Sequence, residues 1–116
     1  MKFRLLLNNG MSFNIESNDI VASDLGQKLN NDSITFFSLG NMMLNKQDVT
    51  YIHAIEVESE APAYNIYLRN GESLNTHSDD YNAGDLSEVL NDRRKMFAVI
   101  GDTIVTKNFI SLVVPA

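Results

Sequence analysis

Shifted by 61 positions, the chain matches itself without a gap. Asn9-Gly10 falls on Asn70-Gly71, and Ser12, Asn14 and Ser17 fall on Ser73, Asn75 and Ser78. Asp19, Ala22 and Asp24-Leu25 fall on Asp80, Ala83 and Asp85-Leu86. Leu29-Asn30, Phe36, Gly40 and Lys46 fall on Leu90-Asn91, Phe97, Gly101 and Lys107. With Leu7 on Leu68 this makes fifteen identities at one offset. Other pairs keep their chemistry, among them Phe3/Tyr64, Leu5/Ile66, Leu39/Ile100 and Ile52/Val113. Chance leaves only a few identities over such a length. The chain therefore reads as a tandem duplication, residues 1–58 and 59–116, and any fold must bury the same positions twice. Two copies do not make a solenoid, so the expected arrangement is a pseudo-two-fold pair, a fused symmetric dimer. The connection Glu58-Ser59-Glu60-Ala61-Pro62-Ala63 is short and stiffened by Pro62, which keeps the units in contact.

Each unit opens on alternation. Phe3, Leu5 and Leu7, then Tyr64, Ile66 and Leu68, recur with the period of two that a half-buried strand requires. Asn9-Gly10 and Asn70-Gly71 follow, a strong hairpin signal in which both turn positions are expected at positive φ. Second strands are expected near 11–17 and 72–78. Asp24-Leu25-Gly26-Gln27 and Asp85-Leu86-Ser87-Glu88 have the spacing of capping boxes with Asp at the N-cap, and Leu25/Leu29 and Leu86/Leu90 define one helical face. Strands follow near 34–39, 42–45, 96–100 and 103–106, turning at Gly40-Asn41 and Gly101-Asp102. A tight step at Lys46-Gln47-Asp48 or Lys107-Asn108-Phe109 leads into a last strand at 49–57 or 110–114. The unit is ββ-α-βββ, and the class is mainly β (α+β).

In the second unit, Ile66-Tyr67-Leu68-Arg69-Asn70-Gly71 and Lys107-Asn108-Phe109-Ile110-Ser111-Leu112-Val113-Val114-Pro115 stand in this order. They resemble the first and second Sm motifs of the bacterial Sm-like family (Hfq). The resemblance covers about fifteen residues of each unit. It implies small SH3-like or Sm-like barrels, with the tight step as a 3₁₀ turn before the last strand, and it implies RNA binding as an alternative function. Asn108 stands where that family carries an RNA-binding histidine, so only Lys107 matches its pocket. The family's helix precedes the first strand, whereas here a helix interrupts the strands.

Composition narrows the function. The net charge is −6, with nine basic against fifteen acidic residues. A negative field opposes phosphate-driven binding of nucleic acid, which needs clustered Lys and Arg. There is no cysteine, which removes disulfides, thiolate zinc sites and cysteine nucleophiles. No apolar run has the length of a signal peptide or a membrane span. A cytoplasmic protein with no membrane partner is the expectation.

His53 and His77 are not at equivalent positions and form no HxH or HExxH spacing, so both read as strand-surface residues. Asp79, Asp80, Asp85 and Glu88 cluster, but Leu90 takes the place where a calcium loop counted from Asp79 needs a bidentate Glu, which leaves helix-entry chemistry. Arg93-Arg94-Lys95 is the one basic cluster. It suits a helix C-terminus, and together with Lys107 it is the candidate contact to RNA or another anion. Leu6 and Tyr67 oppose the core alternation, and Phe37, Met42 and Met43 add apolar bulk. These five form either the contact between the units or a patch that binds a partner. No catalytic constellation, cofactor motif or metal set stands out. The expected function is a non-enzymatic module that binds another protein, with homo-oligomerisation left open.

Overall fold

In a computed structural model all 116 residues are described. The first half runs β1 (Lys2–Leu7), β2 (Ser12–Glu16), α1 (Ala22–Leu29), β3 (Phe36–Leu39), β4 (Met42–Asn45), a 3₁₀ turn (Lys46–Asp48) and β5 (Val49–Ile55). The second runs β6 (Ala63–Leu68), β7 (Ser73–His77), α2 (Ala83–Asn91), β8 (Phe97–Ile100), β9 (Thr103–Thr106), a 3₁₀ turn (Lys107–Phe109) and β10 (Ile110–Pro115). The chain is mainly β, in several small antiparallel sheets.

Pairing recurs with the same offset as the side chains. β1 pairs with β2 and β5, and β6 with β7 and β10. Leu5 faces Phe13 as Ile66 faces Leu74. Both ladders slip at one place: Leu6↔Tyr51 gives way to Leu7↔Val49, and Tyr67↔Leu112 to Leu68↔Ile110. One extra residue, Thr50 or Ser111, bulges there and bends the strand.

The first hairpins differ from the expected turn. Only the glycines are at positive φ, Gly10 and Gly71 both at 91°. The Gly10 N–H donates to the Leu7 carbonyl and the Leu7 N–H to that of Met11, a type I turn closed by a left-handed glycine. The asparagine acts through its side chain instead: Asn9 Oδ1 accepts the Met11 N–H and Asn70 Oδ1 that of Glu72. The helix caps also differ. Helices begin at Ala22 and Ala83, so Asp24 and Asp85 lie in the first turn, where a carboxylate still complements the dipole. Asn82 is the cap of α2, accepting the Asp85 N–H, while Val21 leaves α1 uncapped by a side chain.

The halves meet on one seam. β5 pairs antiparallel with β9, with Tyr51↔Val105, Ile52↔Ile104 and His53↔Thr103. The resulting sheet has the order β2-β1-β5-β9-β8, and β10-β6-β7 and β3-β4 stand apart. A pseudo-two-fold pair would also join β10 to β4, and it does not. The packing is head to tail: one end of the first half meets the opposite end of the second. β5 is covered on both faces, with Val49, Ile52 and Ala54 in one core and Tyr51 in the other. The first core, around Phe3, Leu5, Leu29 and Phe37, is closed by Phe97 and Ile104 from the second half. The second, around Ile66, Leu68, Leu74 and Val105, is closed by Leu6 and Tyr51 from the first. Each such side chain stabilises by roughly 1.5–3 kcal/mol on full burial, enough to hold the halves as one body.

Candidate functional site

β4 and β10 each have one unpaired edge. Unpaired backbone groups on a strand edge are a template for another chain unless charge or covering blocks them. On these strands Met43 (β4) and Leu112 (β10) stand in water, and on their paired neighbours so do Phe36 (β3) and Tyr67 (β6). On β4 the two faces separate as a strand's pleat requires, with Leu44 buried in the first core and Met43 turned out.

The apolar residues singled out from the sequence divide. Met43 and Tyr67 are exposed. Met42 is half-buried against the first core. Leu6 and Phe37 are not available to a partner. Leu6 is covered by the second half, and Phe37 points into the core of the first. The adjacency Phe36-Phe37 hides which of the two faces in; the ladder decides it, pairing Phe37 with Leu44 and Phe36 with Asn45. Phe36 and Leu112 are the members that sequence reading missed. The available signal was the offset, since Phe36 matches Phe97 and Leu112 matches Tyr51.

The basic residues are partly engaged. Lys107 Nζ donates to the Asp92 carbonyl at 2.7 Å. Lys46 does the same in the first half, to the carbonyls of Leu29 and Asn31. Both lysines thus close a helix C-terminus, satisfying carbonyls that the helix leaves free. Arg94 pairs with the Asp92 carboxylate at 3.2 Å, and that hydrogen bond holds Asp92 below the usual carboxylate range. Arg93 and Lys95 are exposed. Lys95 borders a crevice of about 300 Å³ between α1 and α2, with Gln27, Asn30, Asp80 and Asp85 on its walls.

His53 lies on the seam, its Nδ1 2.7 Å from Thr103 Oγ1. Burial, and then the guanidinium of Arg4, lowers its pKa. The Tyr51 hydroxyl donates to Glu72 at 2.8 Å, and burial first, then the carboxylate, raises its pKa to about 12. Burial favours the neutral form of both groups, and their hydrogen bonds cross between the halves. No group of three or more His, Asp or Glu side chains converges as a metal site. In the acidic cluster, Asp80 accepts the Ser78 hydroxyl and Asp85 sits under the Asn82 cap, which is turn and helix-entry chemistry. Neither a family model nor a curated protein nor a solved structure matches the chain. No helix is long and apolar enough to cross a membrane.

Proposed function

We infer that this chain is a non-enzymatic module that binds another protein by strand addition at its open edges. The observation that carries it is that, of the six strands with an unpaired edge, β4 and β10 carry the exposed apolar side chains Met43 and Leu112, with exposed Phe36 and Tyr67 on the strands paired to them. An edge supplies main-chain affinity, and alternate side chains supply the choice of partner. The reading includes a tandem duplication of a ββ-α-βββ unit of SH3-like or Sm-like type, supported by the shared register and bulge of the two halves. It also includes a cytoplasmic setting, supported by the lack of cysteine. A pull-down with the wild-type chain and with Met43→Asp tests it. A protein retained by the first and lost by the second is expected; equal retention by both removes the edges from the argument.

The RNA-binding reading draws on the exposed Arg93 and Lys95. The engagement of Lys107 with the Asp92 carbonyl takes one of its four cations away, and Arg94, though exposed, is already paired with the Asp92 carboxylate. Fluorescence anisotropy with U-rich and A-rich single strands at low salt decides it, and binding that vanishes in Arg93→Ala/Lys95→Ala favours it over the protein partner.

A further inference from the structure

The seam between the halves has a second, unmade version. β10 occupies the place of β5 and β4 the place of β9, 61 residues apart in each case. The made seam joins Tyr51, Ile52 and His53 to Val105, Ile104 and Thr103. The displaced positions are Leu112, Val113 and Val114 on β10, and Leu44, Met43 and Met42 on β4.

Exposure follows this division. Phe97 and Ile104, which plug the first core, are 0% and 1% exposed, whereas their counterparts Phe36 and Met43 are 59% and 68% exposed. Tyr51 and Leu6, the receiving side, are 0% and 7% exposed, whereas Leu112 and Tyr67 are 51% and 41%. Half of the eight large apolar residues left in water are the counterparts of seam residues. The helices tell the same story. α1 buries Ala22, Gly26 and Leu29 and packs on both β8 and β9, while α2 has no fully buried residue, with Leu86 half-buried against the second core.

Two finer features fit. Asn30 clamps the plugging hairpin: its Oδ1 accepts the N–H groups of Met96 and Phe97 at 2.9 and 2.8 Å, and its Nδ2 donates to the Phe97 carbonyl at 3.1 Å. Asn91, the identical residue, stands exposed at the end of α2. Gly26 leaves room for Val99, which approaches to 2.3 Å of where a Cβ would be. At the displaced pair the helix carries Ser87 and the hairpin Ser38, both small.

We propose that the partner at these edges is a second copy of this chain, whose β3–β4 hairpin docks on β10 and α2 as β8–β9 docks on β5 and α1. This rests on the strand-addition reading and names its partner. The added hairpin turns β7-β6-β10 into a five-stranded sheet, β7-β6-β10-β4-β3, in the order of the internal sheet. Plug and socket are different surfaces, so the contact is heterologous. Copies join head to tail and either close into a ring or grow into a filament.

Size-exclusion chromatography with light scattering over a concentration series tests this. The wild-type chain is expected well above its 13.0 kDa monomer mass. Phe36→Glu/Met43→Glu removes the plug, and Tyr67→Glu/Leu112→Glu loads the socket with charge. All four positions are exposed, and circular dichroism checks that each variant stays folded. Each variant alone is expected as a monomer, and the two mixed as a single heterodimer, since one keeps its socket and the other its plug. Asn91→Ala weakens association about tenfold through the lost clamp. A monomeric wild type, or folded variants that fail to complement each other, overturns the head-to-tail pairing. If the wild type is monomeric yet still retains a different protein through Met43, only the pairing of copies fails. If it retains nothing, the strand-addition reading fails with it.

Discussion

Asn30→Ala is the sharpest test of the seam, because its twin Asn91→Ala is an internal control. Asn30 makes three hydrogen bonds to the backbone of Met96 and Phe97. Each neutral bond contributes a net of about 0.5–1.5 kcal/mol, and a buried donor left without a partner costs about 1–3 kcal/mol. Phe97 is fully buried, so water replaces the lost amide poorly, and the loss should be roughly 2–4 kcal/mol. For a chain of this size that lowers Tm by about 8–15 °C. Asn91→Ala should stay within about 0.5 kcal/mol, as an exposed substitution does. Both are measured by thermal and guanidinium unfolding in a Phe36→Glu/Met43→Glu background, where copies do not pair. Asn30→Asp keeps the acceptor but loses the donor to Phe97 and should fall between. Equal losses for Asn30→Ala and Asn91→Ala, or no loss for either, would refute the claim that Asn30 holds the halves together.

Three further outcomes follow from the same contacts. Gly26→Ala gains about 1 kcal/mol of helix propensity, yet its Cβ meets Val99 Cγ2 at 2.3 Å; urea denaturation should show a net loss of about 1–3 kcal/mol, recovered by adding Val99→Ala. Gly40 and Gly101 have φ of 60° and 58°, but a Cβ at Gly40 meets open space and one at Gly101 meets the His77 carbonyl at 2.1 Å. Gly40→Ala should therefore cost only the left-handed penalty of about 1–2 kcal/mol, and Gly101→Ala clearly more. His53 has a lowered pKa in the fold, so its contribution is complete above the ordinary value of 6.5 and is lost as pH falls from there through the lowered value. Wild-type Tm should drop over that window, and the His53→Gln curve should be flatter.

The strands, turns and helices were legible because their signals are local. Period-two burial, Asn-Gly and Gly-Asn pairs and the Leu25/Leu29 spacing each act within a few residues. The N-caps lie three residues before the expected Asp24 and Asp85, since Asp also favours the first turn, and Asn82 takes the cap of α2 itself. Parity at Phe36-Phe37 was not legible, because two adjacent aromatics satisfy either face and only the ladder to Asn45 and Leu44 chooses. The manner of packing was the largest miss. A repeat says that two units share an interior but nothing about which surfaces they turn to each other. A two-fold pair uses one surface twice; here β5 meets β9 while β10 and β4 go without.

The identities between the halves bear on this last point. Most have a reason within each half, and the reason is the same in both. Gly10 and Gly71 close left-handed turns, and Ser17 and Ser78 accept the N–H two residues on. Lys46 and Lys107 close helix C-termini. Asn30/Asn91 and Phe36/Phe97 lack such a reason. In a single chain only Asn30 and Phe97 are engaged, and they are engaged with each other across the seam. Asn91 and Phe36 are left, each matching the missing partner of the other, and β4 and β10 do not pair within one molecule. A contact between copies gives both residues the role their twins already have.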